Sequence, residues 1–139
     1  MELTEITVTR MIPATPEEVY DVWVDPKSPG GPWHGAARLI VNPVVDGLFY
    51  FAVNHEGRVW PHYGRFVKLE RPKLVEYTWM SEATKGAEST VTFTLEKQGG
   101  DTKVTLRHAG VPDDALGRQH KDGWEWILGA LANALSKGR

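Results

Sequence analysis

Residues 123–135 of this 139-residue chain read GWEWILGALANAL and predict a long amphipathic helix. The apolar side chains recur at the spacing of one helix face: Trp124, Ile127, Leu128, Leu131 and Leu135. The outer face carries Lys121, Asp122, Glu125 and Lys137. Trp126 lies off the apolar face, so it either reaches the rim of a covered interior or covers neighbouring surface. Gly123 costs about 1 kcal/mol relative to alanine inside a helix, which predicts close packing or a local kink there.

The surface that this helix covers is predicted to be a β-sheet. Period-two alternation and turn signals place six consecutive strands at 36–41, 48–54, 58–69, 73–81, 87–96 and 102–109. Short turns such as Asp46-Gly47 and Gln98-Gly99-Gly100-Asp101 join them, which predicts an antiparallel meander. Gly64 inside a strand pattern predicts a bulge or a sharp bend.

One more strand and a capped helix precede the meander. Residues 5–12 alternate as a half-buried strand, and Thr15, Pro16 and Glu18 supply the signals of a helix start. This helix is predicted from Pro16 to about residue 24, where Asp25-Pro26 ends it. A second short helical turn is expected before the breaker at 29–32. The whole chain, 1–139, is thus predicted to form one α+β domain, with a curved antiparallel sheet around a long C-terminal helix and two short helices after the first strand.

Composition argues against several classes of partner and chemistry. Hydrophobic residues make up 41% of the chain and charged residues 24%, as in globular proteins. The net charge is −2 with no block of Lys or Arg, which argues against nucleic acid and anionic membranes as partners. The lack of cysteine removes disulfides and thiolate catalysis, and fits a reducing, cytoplasmic location. No signal peptide and no membrane span are predicted.

Several short motifs, none of them specific alone, follow one another in a recognisable order. They are Ile12-Pro13-Ala14-Thr15-Pro16-Glu17-Glu18-Val19-Tyr20, Asp25-Pro26, Trp33, Asp46-Gly47-Leu48-Phe49, Gly64-Arg65-Phe66, Lys73-Leu74-Val75, Tyr77-Thr78-Trp79, Thr102-Lys103-Val104-Thr105-Leu106-Arg107-His108 and Gly123-Trp124. Over nearly the whole chain, this order resembles the START-like (SRPBCC) superfamily and, more narrowly, its Aha1-homology branch, named after the activator of Hsp90 ATPase. The resemblance implies a helix-grip fold. It also implies an interior that in most members binds apolar small molecules, and in some wider relatives serves a cyclase or hydrolase.

Aromatic side chains are the candidate lining of a cavity between sheet and helix. The candidate ligand-binding residues are Trp33, Phe49, Phe51, Trp60, Tyr77, Trp79, Phe93, His108 and Trp124. Strand alternation places Tyr77 and Trp79 on one face, and places His108 on the inner face of its own strand. A packed aromatic core would produce the same pattern, so a solid core and a true cavity both stay open.

Histidines are the candidates for polar chemistry. His108 could bond a ligand or transfer a proton, but no motif fixes a nucleophile or carboxylate beside it, which favours a core histidine bonded to a neighbour. The remaining histidines show no metal-ligand spacing: His34, His55, His62 and His120. His55 and His62 flank a turn and could approach each other across a hairpin. No metal, no cofactor and no assigned catalytic residue are predicted, since hydrolase, kinase and dehydrogenase motifs are lacking.

Three functions from different classes follow. The first is a binding domain that holds an apolar or aromatic small molecule between the sheet and the C-terminal helix, without established catalysis. The second is a cyclase-like or hydrolase-like enzyme in the same cavity, with His108 or Tyr77 transferring protons. The third is an interaction domain that modulates an Hsp90-type ATPase. A homodimer stays open as a further assembly, and a chaperone partner ranks below the small molecule.

Overall fold

The computed structural model describes residues 2–28, 30–33 and 36–136. Three residues of the predictions above therefore lie outside the described residues: Pro29, His34 and Lys137. The strands are β1 (Leu3–Ile12), β2 (Arg38–Val41), β3 (Leu48–His55), β4 (Arg58–Glu70), β5 (Leu74–Ser81), β6 (Ser89–Gln98) and β7 (Asp101–Pro112). The helices are α1 (Pro16–Val24), α2 (Ala115–Arg118) and α3 (His120–Ser136), and a 3₁₀ turn covers Glu82–Thr84.

The strands form one seven-stranded sheet in the order β1-β7-β6-β5-β4-β3-β2. Every neighbouring pair is antiparallel: each strand from β3 to β7 pairs with the one before it, and β1 pairs with β7. The predicted meander and the α+β fold are confirmed. The sheet leaves β1 and β2 as its two edges, and α3 packs beside β1.

Local signals explain how α1 begins and ends. The Thr15 hydroxyl accepts from the Glu18 N–H at 3.2 Å while the Glu18 carboxylate accepts from the Thr15 N–H at 3.1 Å, so the predicted capping box is present. Asp25 leaves the helical conformation at the C-cap. The segment where a second helical turn was expected instead forms turns, with the Ser28 N–H donating to the Asp25 carbonyl at 3.2 Å. The additional short helix, α2, lies directly before α3.

Gly64 marks a close approach inside the sheet, next to an irregularity of the kind that its place in a strand pattern predicted. A Cβ atom at Gly64 would lie 2.1 Å from the Thr78 carbonyl oxygen and 2.2 Å from Cζ of Phe49. Beside it, the Arg65 N–H donates to the Thr78 hydroxyl at 2.9 Å. The pairing of β4 with β5 shifts register just beyond, between Phe66 and Lys68. This irregularity accompanies the bend that lets the sheet curve.

The helix α3 closes the inner face of the sheet with one side only. Its buried residues are Trp124, Leu128, Leu131 and Ala132, and Ile127 and Leu135 pack on them partly exposed. The prediction for Gly123 is wrong, since no atom beyond its own helix backbone and chain neighbours lies within 4 Å of a Cβ built there and the helix runs on unbroken. Trp126 is 75% exposed and therefore does not enter the interior. Among the described residues, no helix has the length and apolar character to cross a membrane.

Candidate functional site

The candidate ligand-binding residues converge on the inner face of the sheet and its closing helix. Eight of the nine are buried, and Trp60 is half-buried. The buried residues are Trp33, Phe49, Phe51, Tyr77, Trp79, Phe93, His108 and Trp124. Seven of the nine candidate residues come from strands, because alternate residues of β3 to β7 point inward. Trp124 comes from α3, and Trp33 comes from the segment between α1 and β2.

Trp33 lies at the centre of an aromatic cluster. Its ring centroid is 5.0 Å from that of Phe49 and 5.4 Å from that of Phe51. The rings of Phe66 and Tyr77 lie at 6.2 Å and 6.1 Å. The indole is thus enclosed by side chains of β3, β4 and β5 and is only 1% exposed. These tilted and edge-on arrangements are the ones that aromatic quadrupoles favour.

The backbone before Trp33 packs tightly on both helices. A Cβ atom at Gly30 would lie 2.6 Å from Cβ of Ala134 on α3, and one at Gly31 would lie 2.7 Å from the Val22 carbonyl oxygen on α1. Gly30 also has a φ of +88°, which side chains other than glycine rarely adopt. The chain therefore reaches between α1 and α3 only because two glycines precede Pro32 and Trp33.

Trp23 is an inner-face residue that was missing from the predicted site. It is fully buried and stacks on Phe93, with ring centroids 4.1 Å apart and planes 3° from parallel. Its carbonyl accepts the indole N–H of Trp33 at 3.1 Å. The sequence did contain a signal, because Trp23 belongs to the apolar stripe of α1. That stripe predicts burial, but it does not predict that Trp23 packs on Phe93.

Two buried polar groups beside this cluster have no hydrogen-bond partner among the residues that the structure describes. They are the indole Nε1–H of Trp23 and the hydroxyl of Tyr77. The two groups lie close to each other, yet their arrangement does not meet the geometry of a hydrogen bond. Burial raises the pKa of Tyr77, so its hydroxyl stays protonated and can donate. Each such group costs about 1–3 kcal/mol unless something satisfies it.

His108 is fully engaged by neighbouring groups. Its Nδ1 accepts the indole N–H of Trp124 at 3.0 Å, so the ring proton must lie on Nε2. Nε2 then donates to the Ser89 hydroxyl at 2.8 Å, and that hydroxyl donates to the Trp79 carbonyl at 2.6 Å. Burial, with a smaller contribution from His120, lowers the pKa of His108 to about 3. His108 is therefore a neutral core histidine, which is the interpretation that the sequence favoured.

His120 forms a second fixed pair with a tryptophan. Trp79 donates its indole N–H to Nε2 of His120 at 3.3 Å, so the ring proton lies on Nδ1 and is donated to the Gly117 carbonyl at 2.7 Å. Burial lowers the pKa of His120 as well. The rings of His108 and His120 are 4.8 Å apart. Two neutral histidines and two tryptophans thus fix the start of α3 against β5 and β7.

His62 differs from these two histidines because its Nδ1 is buried without a partner. Its ring stacks on Phe51 at 4.6 Å and lies 4.9 Å from the ring of Trp79. Burial, with a smaller contribution from His120, lowers the pKa of His62 to about 4. The carbonyls of Phe51 and Trp60 lie beside the ring without meeting hydrogen-bond geometry. The histidine whose charge contributes to the lowered pKa of His62 is thus His120. His55, which the sequence suggested as a neighbour across the hairpin, is exposed beside Glu56.

Trp60 lies next to His62 on the inner face of β4, where the site meets the surface. Its Nε1–H is also buried without a partner. The guanidinium of Arg58 covers the ring 4.3 Å from its centroid and forms an ion pair with Glu82. Trp60 therefore contacts the Arg58 guanidinium with one face of its ring and has a buried Nε1–H without a partner.

The candidate residues on the inner face contact one another through their rings. Elsewhere on the described residues, two open grooves lie between β1 and the two C-terminal helices, and they are lined by residues such as Glu5, Arg10, Arg118 and Lys121. None of the nine candidate ligand-binding residues borders either groove. Across residues 2–28, 30–33 and 36–136, no group of three or more His, Asp or Glu side chains could hold a metal ion.

The curved sheet around a long C-terminal helix defines the helix-grip class of small α+β domains, as the ordered motifs predicted. Within that class, the chain belongs to the family of activator of Hsp90 ATPase homolog 1-like proteins, whose model matches residues 13–136. A comparison with curated protein sequences finds no match.

Solved structures share this fold at low sequence identity. CalU16 from Micromonospora echinospora is 22% identical, with a TM-score of 0.73 over 97% of this chain and 78% of that one. A protein from Rhizobium leguminosarum is 17% identical, with a TM-score of 0.80 over 98% and 96% of the two chains. The Aha1 dimer from Colwellia psychrerythraea is 19% identical, with a TM-score of 0.71 over 95% and 96%. At these identities the likeness shows the fold alone.

Proposed function

We propose that this domain binds an apolar or aromatic small molecule between the inner face of the sheet and α3. One observation carries the proposal: among the described residues, four polar side-chain atoms are buried without a hydrogen-bond partner. They are Nε1 of Trp23, Nε1 of Trp60, Nδ1 of His62 and the hydroxyl of Tyr77. A core evolved only for packing gains nothing from such groups, since phenylalanine in place of Tyr77 would remove the desolvation penalty.

The chemistry of these atoms favours one kind of ligand. The two indole groups can only donate, and the Tyr77 hydroxyl donates most readily. Around them lie the aromatic rings of the inner face, which offer flat apolar contact. The matching ligand is therefore an aromatic molecule that carries a hydrogen-bond acceptor, such as a carbonyl oxygen.

The enzymatic alternative finds less support. Both ring nitrogens of His108 already have partners, and the ring is buried. A proton-transfer group must be able to reach a reacting atom. Self-association stays a prediction, and a chaperone partner stays a prediction from the resemblance; sedimentation and ATPase measurements can check them.

Calorimetric titration with a panel of bicyclic aromatics tests the proposal. Ketones such as chromone are expected to bind with saturation and to raise the melting temperature, while naphthalene binds more weakly because it has no acceptor. The variant Tyr77→Phe serves as the matched control, since it removes one hydroxyl and keeps the ring. The proposal fails when no member of the panel binds with saturation to the parent protein.

A further inference from the structure

We propose that Trp33 is an intramolecular occupant of the ligand site, so that a planar bicyclic ligand with a hydrogen-bond acceptor binds by taking the place of its indole. This inference rests on the proposed function and names both the class of ligand and the group that competes with it.

Trp33 differs from the other candidate residues in the kind of segment that contributes it. The other eight candidate residues belong to strands or to α3, whose positions are fixed by backbone hydrogen bonds. Trp33 is the member contributed by a connecting segment, and yet it occupies the centre of the ring cluster. A side chain held by packing and one hydrogen bond can be replaced without breaking a strand or helix.

The indole of Trp33 makes one hydrogen bond and leaves nearby polar groups unpaired. Its indole N–H donates to the Trp23 carbonyl at 3.1 Å, at the last turn of α1, where helix carbonyls lack intrahelical partners. An indole has no acceptor. Trp33 therefore leaves the Tyr77 hydroxyl and the Trp23 Nε1–H unpaired. It does so although the ring centroids of Trp33 and Tyr77 are only 6.1 Å apart.

A better occupant follows from this mismatch. It needs the two-ring size of an indole, one donor for the Trp23 carbonyl and one acceptor for Tyr77 or Trp23 Nε1. Of four simple probes, naphthalene has neither group, indole has the donor, chromone has the acceptor and 4-quinolone has both. The affinity of the parent protein should therefore be highest for 4-quinolone and lowest for naphthalene.

Fluorine NMR of the full chain labelled with 5-fluorotryptophan tests the displacement. The resonance of Trp33 is assigned with the variant Trp33→Phe. On saturation with 4-quinolone, this resonance should acquire the solvent isotope shift of an exposed tryptophan, with 75%-exposed Trp126 as the reference. The resonance of Trp124, which is tied to His108, should stay protected from solvent.

Affinities of two variants complete the test. Trp33→Ala removes the competing side chain, so 4-quinolone should bind at least about 10-fold more tightly. Trp33→Phe should give a smaller gain in affinity, and it replaces the alanine variant in the test if that variant does not fold. Tyr77→Phe should weaken 4-quinolone about 3- to 10-fold while leaving indole unchanged.

Three outcomes separate this inference from the proposed function. If a probe binds the parent protein while Trp33 stays protected from solvent, the displacement is wrong and the proposed function stands. Binding only to the Trp33 variants also overturns the inference, because removal of any large core side chain leaves a cavity that takes apolar guests. If no probe binds parent or variants, both proposals fail.

Discussion

The indole N–H of Trp124 donates a 3.0 Å hydrogen bond to Nδ1 of His108, which joins α3 to β7 inside the core. Because an indole cannot accept, this contact keeps His108 neutral and assigns its proton to Nε2. The neighbouring pair of Trp79 and His120 repeats the arrangement at the start of α3. Together the two pairs fix the closing helix through polar contacts rather than through apolar packing alone.

Replacement of Trp124 by phenylalanine should destabilise the domain by about 2–4 kcal/mol. The change leaves Nδ1 of His108 without its donor and removes buried ring volume. Urea denaturation measures the free energy of unfolding. The matched control is Trp126→Phe on the same helix, which should change stability by less than about 0.5 kcal/mol because Trp126 is exposed. Equal effects of the two variants would refute the role given to Trp124.

Stability should fall as the pH drops below about 6.5. The pKa of His108 in the folded protein is about 3, and the pKa values of His62 and His120 are also lowered. The unfolded chain, with histidine pKa values of about 6.5, then binds protons that the folded chain does not, so acid favours unfolding. His108 alone should account for about 2 kcal/mol between pH 6.5 and pH 5.

The variant His108→Gln isolates this effect. Glutamine offers one acceptor for Trp124 and one donor for Ser89 but does not titrate. Urea denaturation at pH 6.5, 6.0, 5.5 and 5.0 should show a shallower loss of stability in the variant than in the parent protein. Identical pH slopes would mean that folded His108 titrates as an ordinary histidine.

Gly123→Ala should stabilise the domain by up to about 1 kcal/mol. Gly123 lies within α3, where a Cβ would meet nothing within 4 Å, and alanine has the higher helix propensity. The control Gly64→Ala should be strongly destabilising, since its Cβ would lie 2.1 Å from the Thr78 carbonyl oxygen. Thermal unfolding followed by circular dichroism distinguishes the two. A lower melting temperature for Gly123→Ala would contradict the open surroundings of this residue.

Tyr77→Phe should leave the stability of the protein without ligand unchanged or raise it by about 1 kcal/mol. The tyrosine hydroxyl is buried without a partner, so its removal ends a desolvation penalty. Ser89→Ala is the comparison, because its hydroxyl donates to Trp79 and accepts from His108. That variant should lose about 1–3 kcal/mol. If Tyr77→Phe lost as much as Ser89→Ala, the Tyr77 hydroxyl would have a partner in solution.

Periodic features of this fold could be predicted from the sequence. Alternation within strands placed Tyr77, Trp79 and His108 inward, and the capping signals around Thr15 located α1, because these depend on neighbours close in sequence. Gly64 was predicted as a bend on the same grounds. The inward group of aromatic residues could therefore be identified from the residue pattern alone.

Features that depend on distant contacts could not be predicted. Trp33 was among the predicted aromatic residues, but it lies in a segment without periodicity, so nothing local indicates that its indole lies at the centre of the ring cluster. The hydrogen bond from Trp79 to His120 joins residues 41 positions apart. The free-energy cost of glycine within a helix suggested close packing at Gly123. The glycine that approaches α3 closely is instead Gly30, which lies outside the helix. Propensity alone does not report what lies opposite a residue.

Proton–nitrogen NMR of the Trp23 indole during titration with 4-quinolone tests whether a ligand binds between the sheet and α3. The Trp23 Nε1–H signal should shift with saturation as it gains an acceptor, and the signal of the exposed Trp126 should not shift. Tyr77→Phe should raise the dissociation constant from this titration about 3- to 10-fold. A Trp23 signal that does not move at any ligand concentration would contradict a ligand site between the sheet and α3.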